Sequence, residues 1–258
     1  MSAIIVNADC IDFLRSIPDE SAGLVIADPP YNIGFTDRSR VAWDAPRPAA
    51  EYLDWCREWT REAARILRPG RMLVVWGTLR GDLSLRYRLD ILAASGLVIQ
   101  NEIIWSYNWG RRKINNFARK HEVAWCASKG ADFLFNGDDV RVLKKMQRGG
   151  FWAGGAPPDP TTIPTCVWEA NNHTTSRDHV TWHPSPKNLL VTERMVRAWS
   201  ARQELVVDPF TGSGTTAVAA VRSGRRFLGC DAHSEYVHRA TARVTASVQT
   251  AQLELASS

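Results

Sequence analysis

Leu205-Val206-Val207-Asp208-Pro209-Phe210-Thr211-Gly212-Ser213-Gly214-Thr215-Thr216 reads as a short apolar strand that ends in an acid, turns on a Gly-x-Gly pair and runs into a helix. Glycines in such a turn let the backbone pass close to a ligand, and the free N–H groups of a helix N-terminus face an electron-rich group. Asp231 follows Gly212 by nineteen residues, at the end of the next apolar run, Phe227 to Cys230. A carboxylate there can accept hydrogen bonds from both ribose hydroxyls, so the arrangement is that of an adenosine site. Gly212-x-Gly214-x-x-Ala217 also satisfies a loosened dinucleotide fingerprint. Against a nicotinamide or flavin, Asp208 stands where a pyrophosphate would approach, and little chain remains for a further nucleotide half. A sulfonium cofactor without phosphate, S-adenosylmethionine, fits better. No Gly-Lys-Ser/Thr occurs, so a P-loop is excluded.

Outward from this stretch, strands and helices alternate, the rhythm of a sheet covered by helices on both faces. Ile4 to Val6, Leu24 to Ala27 and Met72 to Trp76 read as buried strands, with shorter ones at Ile103 to Trp105 and Val123 to Cys126. Tyr52, Leu53, Cys56, Trp59, Ala63, Ile66 and Leu67 recur at helical spacing, and Arg68-Pro69-Gly70 reads as the stop of that helix. Further helices are expected near Leu189 to Trp199, after Gly214 and past Glu235. From about Gly130 to Val180, glycines and prolines preclude regular helix or central strand, and the stretch reads as an insertion or small lobe.

Leu24-Val25-Ile26-Ala27-Asp28-Pro29-Pro30-Tyr31 is a second strand that runs into a polar loop. The prolines fix an extended backbone after Asp28 and can hold the Pro29 carbonyl outward. A carboxylate beside a carbonyl is a double acceptor suited to an exocyclic amine, with the Tyr31 ring stacking on the base. A plain strand-ending turn, in which Asp28 caps and Tyr31 packs, is the competing reading, and it loses force beside the glycine motif.

Lys and Arg number 32 against 27 Asp and Glu, a formal charge of +5. Residues 107 to 180 hold 11 of the cations and 7 of the acids, so the excess sits in the middle of the chain and points to a polyanion. The five cysteines form no C-x-x-C pair, and His173 and His179 near Cys166 match no ligand set, so neither disulfides nor a metal are expected. No apolar run approaches the roughly 20 residues of a membrane helix. Asp9 and Asp12 interrupt the place of a signal-peptide core, so the expectation is a cytoplasmic protein without membrane contact.

At this point the chain closely resembles the amino-methyltransferases of DNA. Asp28-Pro29-Pro30-Tyr31 resembles the catalytic motif of that family and Asp208 to Thr216 its cofactor motif, in the permuted order of the β class. His183-Pro184-Ser185-Pro186-Lys187-Asn188 is similar to the class's His-Pro-Thr-Gln-Lys-Pro segment, departing from it at Pro186 and Asn188. Asn7-Ala8-Asp9-Cys10 resembles its Gly-Asp-Cys, whose acid meets the cofactor's adenine, and Lys120-His121-Glu122 matches a common strand opening.

The resemblance implies a Rossmann-like α/β core, a mostly parallel sheet with helices on both faces. Residues 1–130 would be its catalytic part, 131–180 an inserted target-recognition region, and 181–258 its cofactor part. It implies transfer of a methyl group from S-adenosylmethionine to the N6 amine of a flipped adenine in double-stranded DNA. Cytosine N4 is the nearest alternative, and a non-catalytic DNA-binding relative the alternative of another class. Catalysis would fall to Asp28, Pro29, Pro30 and Tyr31. The cofactor would meet Asp9, Cys10, Asp28, His183, Ser185, Lys187, Asp208, Phe210, Gly212, Ser213, Gly214, Thr215, Thr216 and Asp231. Carbon-5 methylation would need a thiolate, typically in Pro-Cys, and no cysteine here follows a proline.

Arg38 and Arg40, with Trp43, lie in the Asn32 to Pro46 loop expected to close over the base. Arg111, Arg112 and Lys113 with Arg119 and Lys120, and Lys144, Lys145 and Arg148, are the phosphate candidates. Trp109, Trp152 and Trp168 sit in polar or irregular surroundings that suit a base or a partner. A companion restriction nuclease is compatible with the family. Its members often pair through the core, so light scattering should show a homodimer at micromolar concentration, and a mass near 28.9 kDa would overturn that expectation.

Overall fold

The computed structural model describes residues 2–34, 44–78, 82–108, 114–143, 159–171 and 180–256. Strands β1 (Ala3–Asn7), β2 (Ala22–Ala27), β3 (Leu67–Gly77), β4 (Val98–Ser106), β5 (His121–Ser128), β8 (Val167–Glu169), β9 (Leu205–Asp208) and β10 (Arg226–Asp231) form one sheet. Their order is β1-β10-β9-β2-β3-β5-β4-β8. The run from β1 to β3 is parallel throughout, β5 is antiparallel to both its neighbours, and β8 pairs parallel with β4. Two short strands, β6 (Val142–Leu143) and β7 (Thr161–Thr162), pair by themselves. This is a Rossmann-like sheet, mostly parallel.

Parallel strands in the middle of such a sheet must be apolar on both faces, and β2 is buried at every position. Val25 and Ala27 point to one layer, Leu24 and Ile26 to the other. The first layer is α1 (Cys10–Arg15), α2 (Ala49–Ile66) and α3 (Leu83–Arg86), which runs on into a π-helical turn, Tyr87–Leu92. The second is α4 (Leu189–Trp199), α5 (Thr215–Arg222) and α6 (Ser234–Ala256), the last through Tyr236, Ala240 and Val244 on one stripe. Among the described residues no helix is long and apolar enough to cross a membrane.

Arg68-Pro69-Gly70 follows the end of α2, as expected, and lies in the opening of β3. The helix ends at Ile66, and residues 68–71 bulge out where the pairing of β2 with β3 jumps from Ala22–Leu67 to Leu24–Met72. Helix α1 and the π-helical turn have no counterpart among the expected elements, because six residues each is too short for a 3.6-residue period to show. Within 131–180, β8 joins the edge of the main sheet and carries Trp168 there, in packed and not irregular surroundings. Trp168 is buried, donates to the Thr165 carbonyl at 2.6 Å and lies under the Arg194 guanidinium, so it is a packing residue and not a base contact.

Trp59 has no exposed surface and joins three parts of the chain, stacking on Tyr87 of the π-helical turn and meeting Phe210 edge-on at 5.4 Å between centroids. Trp59→Ala should cost about 3 to 5 kcal/mol of stability in urea denaturation.

Candidate functional site

The chain leaves β9 by α5 towards β10 and leaves β2 by α2 towards β3, so the connections diverge between two adjacent parallel strands. Ligands bind at such a switch point, beyond the carboxyl ends of the strands. Each of the four strands on this side ends at an acid: Asp9 after β1, Asp231 on β10, Asp208 on β9 and Asp28 after β2. The four carboxylates stand in a row along one edge of a cavity of about 190 Å3. Every catalytic and cofactor residue expected from the sequence lines it except Gly214, which sits behind as the N-cap of α5.

The glycine turn is shaped by backbone and by close approach. Gly212 has φ +48° and Gly214 φ +77°, the left-handed region that favours glycine. A Cβ on Gly212 would stand 2.9 Å from His183 Nε2, and one on Gly214 would stand 3.0 Å from the Ala240 Cβ of α6. The turn is further held by Arg243, which donates to the Ser213 carbonyl at 2.9 Å and to Thr215 Oγ1 at 3.0 Å. Asp231 accepts from the N–H of Gly212 on one oxygen and of His233 on the other, both at 2.9 Å, which orients its carboxylate across the turn. Asp9 caps α1 through the N–H of Ile11 at 2.8 Å. Ser185 donates its N–H to His183 Nδ1 at 3.3 Å, and the His183 ring packs on Tyr236. Asn188, a departure from the family's proline, has a local reason: its Oδ1 accepts from the Val191 N–H at 3.2 Å and caps α4, as a proline could not.

On the β2 side, both oxygens of Asp28 are held. The Tyr31 hydroxyl donates to Oδ1, and Lys187 Nζ lies 2.7 Å from Oδ2. Tyr52 donates to the Pro30 carbonyl at 2.9 Å, while the Pro29 carbonyl is bonded by no donor among the described residues. Beyond Tyr31 the chain is clamped by Asp44, which accepts from the N–H of Asn32 at 2.6 Å and of Ile33 at 3.1 Å. Lys187 Nζ also reaches Glu122 Oε2 at 3.1 Å, so its ammonium stands between the Asp-Pro-Pro-Tyr acid and Glu122. Burial works against its charge, but Asp28 and Glu122 more than offset that and hold the ammonium above its ordinary range. Burial, then the charge of Asp28, raises the Tyr31 phenol, which therefore stays protonated.

Arg38, Arg40, Arg111, Arg112, Lys113, Lys144, Lys145 and Arg148 lie outside the described residues, as do Trp43, Trp109 and Trp152. Several cleft residues were not singled out from the sequence. Glu122 was noted only within a family match. Trp55, three residues after Tyr52 and four before Trp59 at the edge of the apolar stripe of α2, faces the cleft edge-on to Phe210 with the Arg47 guanidinium 5.1 Å over its ring. Among cysteines only Cys10 lines the cavity, and burial, then the charge of Asp9, pushes its thiol up to about 12, so no thiolate nucleophile is present there.

Asp208 is 3% exposed. Burial, with the charges of Asp28 and Asp231 and against hydrogen bonds from Thr216 and the Phe210 N–H, pushes its carboxyl up to about 7. Unfolded, it would titrate near the ordinary ~4. The folded state therefore holds an extra proton between these values, and stability falls as pH rises through that window. Asp208→Asn should raise the melting temperature at pH 8 by roughly 2 to 4 °C, a gain that shrinks steadily as pH falls to about 4, read by calorimetry across pH.

Comparison with known proteins agrees with this geometry. The family model N6_N4_Mtase, DNA methylase, matches residues 22–242. The chain is 31% identical over 252 residues to type II methyltransferase M1.MboII of Moraxella bovis, covering 90% of this chain and 92% of the relative. It is 31% identical over 261 residues to the DNA adenine methyltransferase YhdJ of Escherichia coli K12, covering 98% and 86%. Among solved structures, the cytosine-N4-specific PvuII DNA methyltransferase superposes with a TM-score of 0.72 at 18% identity, covering 96% of this chain and 92% of that one. The M1.HpyAVI–SAM complex superposes at 0.61 with 22% identity, covering 94% and 100%. A switch-point cleft flanked by Asp28-Pro29-Pro30-Tyr31 and the Gly212 turn, within a match that spans most of the chain, makes this protein a member of the DNA amino-methyltransferase family.

Proposed function

We propose that the protein transfers a methyl group from S-adenosylmethionine to the exocyclic N6 amine of an adenine in double-stranded DNA, with the base turned out of the stack into the cleft. The observation that carries the reading is that Asp28, its carboxylate held by Tyr31 and Lys187, opens into the same cavity as the Gly212 turn.

The residues present fit the cofactor. Gly212 leaves beneath His183 a space that a Cβ would fill, and Asp231 is oriented by two backbone donors with lone pairs to spare for a ribose. The row of carboxylates favours a cationic sulfonium and repels a pyrophosphate. When bound, S-adenosylmethionine would supply an electrophilic methyl group, whose bond to sulfur breaks as the bond to nitrogen forms, leaving S-adenosylhomocysteine. Asp231 would hold the ribose, Asp9 and Cys10 the adenine end, and Phe210 with Trp55 an apolar wall.

The chain's own part in the transfer is at Asp28. A base amine is a poor nucleophile because its lone pair is delocalised into the ring. Hydrogen bonds from the amine to the Asp28 carboxylate and the Pro29 carbonyl localise that pair and fix its direction. Asp28 then takes the proton that the nitrogen gives up on gaining the methyl, and passes it to solvent. The main contribution is position, with nitrogen held roughly 3 to 3.5 Å from the carbon it attacks. Adenine is favoured by the Asp and Tyr of the tetrad and by the relation to YhdJ. The cations at 38–40, 111–113 and 144–148 would hold phosphates, and 131–180 would read sequence.

Unmethylated genomic DNA incubated with the protein and S-adenosylmethionine should contain N6-methyladenine by nucleoside mass spectrometry. Asp28→Ala should lower the rate by about 100-fold or more while retaining cofactor binding. N4-methylcytosine in its place would move the target base. No modified base from protein that binds the cofactor would overturn the reading.

A further inference from the structure

We infer that Glu122 is a positioning residue of this reaction, acting through Lys187 to keep the Asp28 carboxylate in place and charged. The inference rests on the methyl transfer proposed at Asp28.

Asp28 follows β2 and Glu122 opens β5, with β3 between them. Their backbones are two strand spacings apart, about 10 Å. One ammonium closes that gap: Lys187 Nζ stands 2.7 Å from Asp28 Oδ2 and 3.1 Å from Glu122 Oε2, over the ring of Trp76 on the intervening strand at 5.3 Å. The lysine side chain is 8% exposed, whereas the two carboxylates are about a quarter exposed. A long, flexible lysine is thus anchored by two acceptors and an aromatic face, so its rotamer freedom is already spent before a substrate arrives. Its carbonyl also accepts from Thr215 Oγ1 at 3.4 Å, tying the same residue to the glycine turn. Lys187 is therefore the rigid link between the two halves of the cleft, and Glu122 is what holds its outer side.

The groups that face Asp28 are Tyr31 on its own loop, Lys187 before α4, Glu122 on β5 and Asp208 on β9. Three of the four charged groups in this set, Asp28 included, are acids, and the single cation separates two of them. Without it, Asp28 and Glu122 would repel across a short, partly buried gap and one would take up a proton.

Steady-state kinetics of the full-length protein should show Glu122→Gln lowering kcat about tenfold to a hundredfold, with KM for DNA and cofactor within about twofold. Lys187→Met should move the acid limb of the kcat profile to higher pH, and adding Glu122→Gln to it should move the limb back. A purely structural role would lower kcat equally at every pH. Unchanged kcat in Glu122→Gln, or an unmoved acid limb in Lys187→Met, would overturn the proposal. Should Glu122→Gln melt below the assay temperature, the limb of Lys187→Met decides alone. If Asp28→Ala itself remained active, the underlying reading would fail instead, and the two failures are told apart by that arm.

Discussion

The site depends on the parallel pairing of β2 with β9, Leu24 against Val206 and Val25 against Val207. These strands come from opposite ends of the chain, and their register brings Asp28 and Asp208 out side by side at the same edge. Because the crossover connections run away in opposite directions at this pair, a cleft is left at that edge. The Asp28-Pro29-Pro30-Tyr31 tetrad and the glycine turn need only follow their own strands to face each other.

An edge built this way accumulates like charge. Four acids end four neighbouring strands, and the protein handles each differently. Asp9 is spent on a helix cap, and Asp231 is tied to two backbone donors. Asp208 is pushed towards neutrality by burial. Among the described residues, Asp28 alone of the four is met by a full opposite charge, from a lysine that is itself almost buried. The difference separates the β1, β10 and β9 acids, tempered by backbone donors and burial, from Asp28, which is paired with an ammonium.

Packing behind the cleft serves the same division. Phe210, two residues after the β9 acid, is wedged against Trp55 and Trp59 of α2, so the Gly212 turn leans on the helix that follows the Asp28-Pro29-Pro30-Tyr31 loop. Gly214 lies against α6, and Lys187 bridges to Thr215. A shift in one half is transmitted to the other through close contacts, because a packed interior has little room to absorb it.

The parallel strands, the long helices and both motifs were legible in the sequence because each is a local pattern. A buried strand shows as an apolar run, α2 as a 3.6-residue stripe, and the Gly212 turn as glycines where φ must be positive. Short elements such as α1 and the π-helical turn left no period to read. Trp168 looked exposed because its neighbours in sequence are polar, while its neighbours in space are Trp105 and Arg194. The sequence by itself determined the fold class, the acid at each strand end and the glycine turn. Only the tertiary structure decided that Lys187 belongs to Asp28, that Glu122 stands behind it and that Trp55 walls the cleft. Those pairings join residues far apart along the chain, and which side chains meet there is set by strand order and register, which no local pattern encodes.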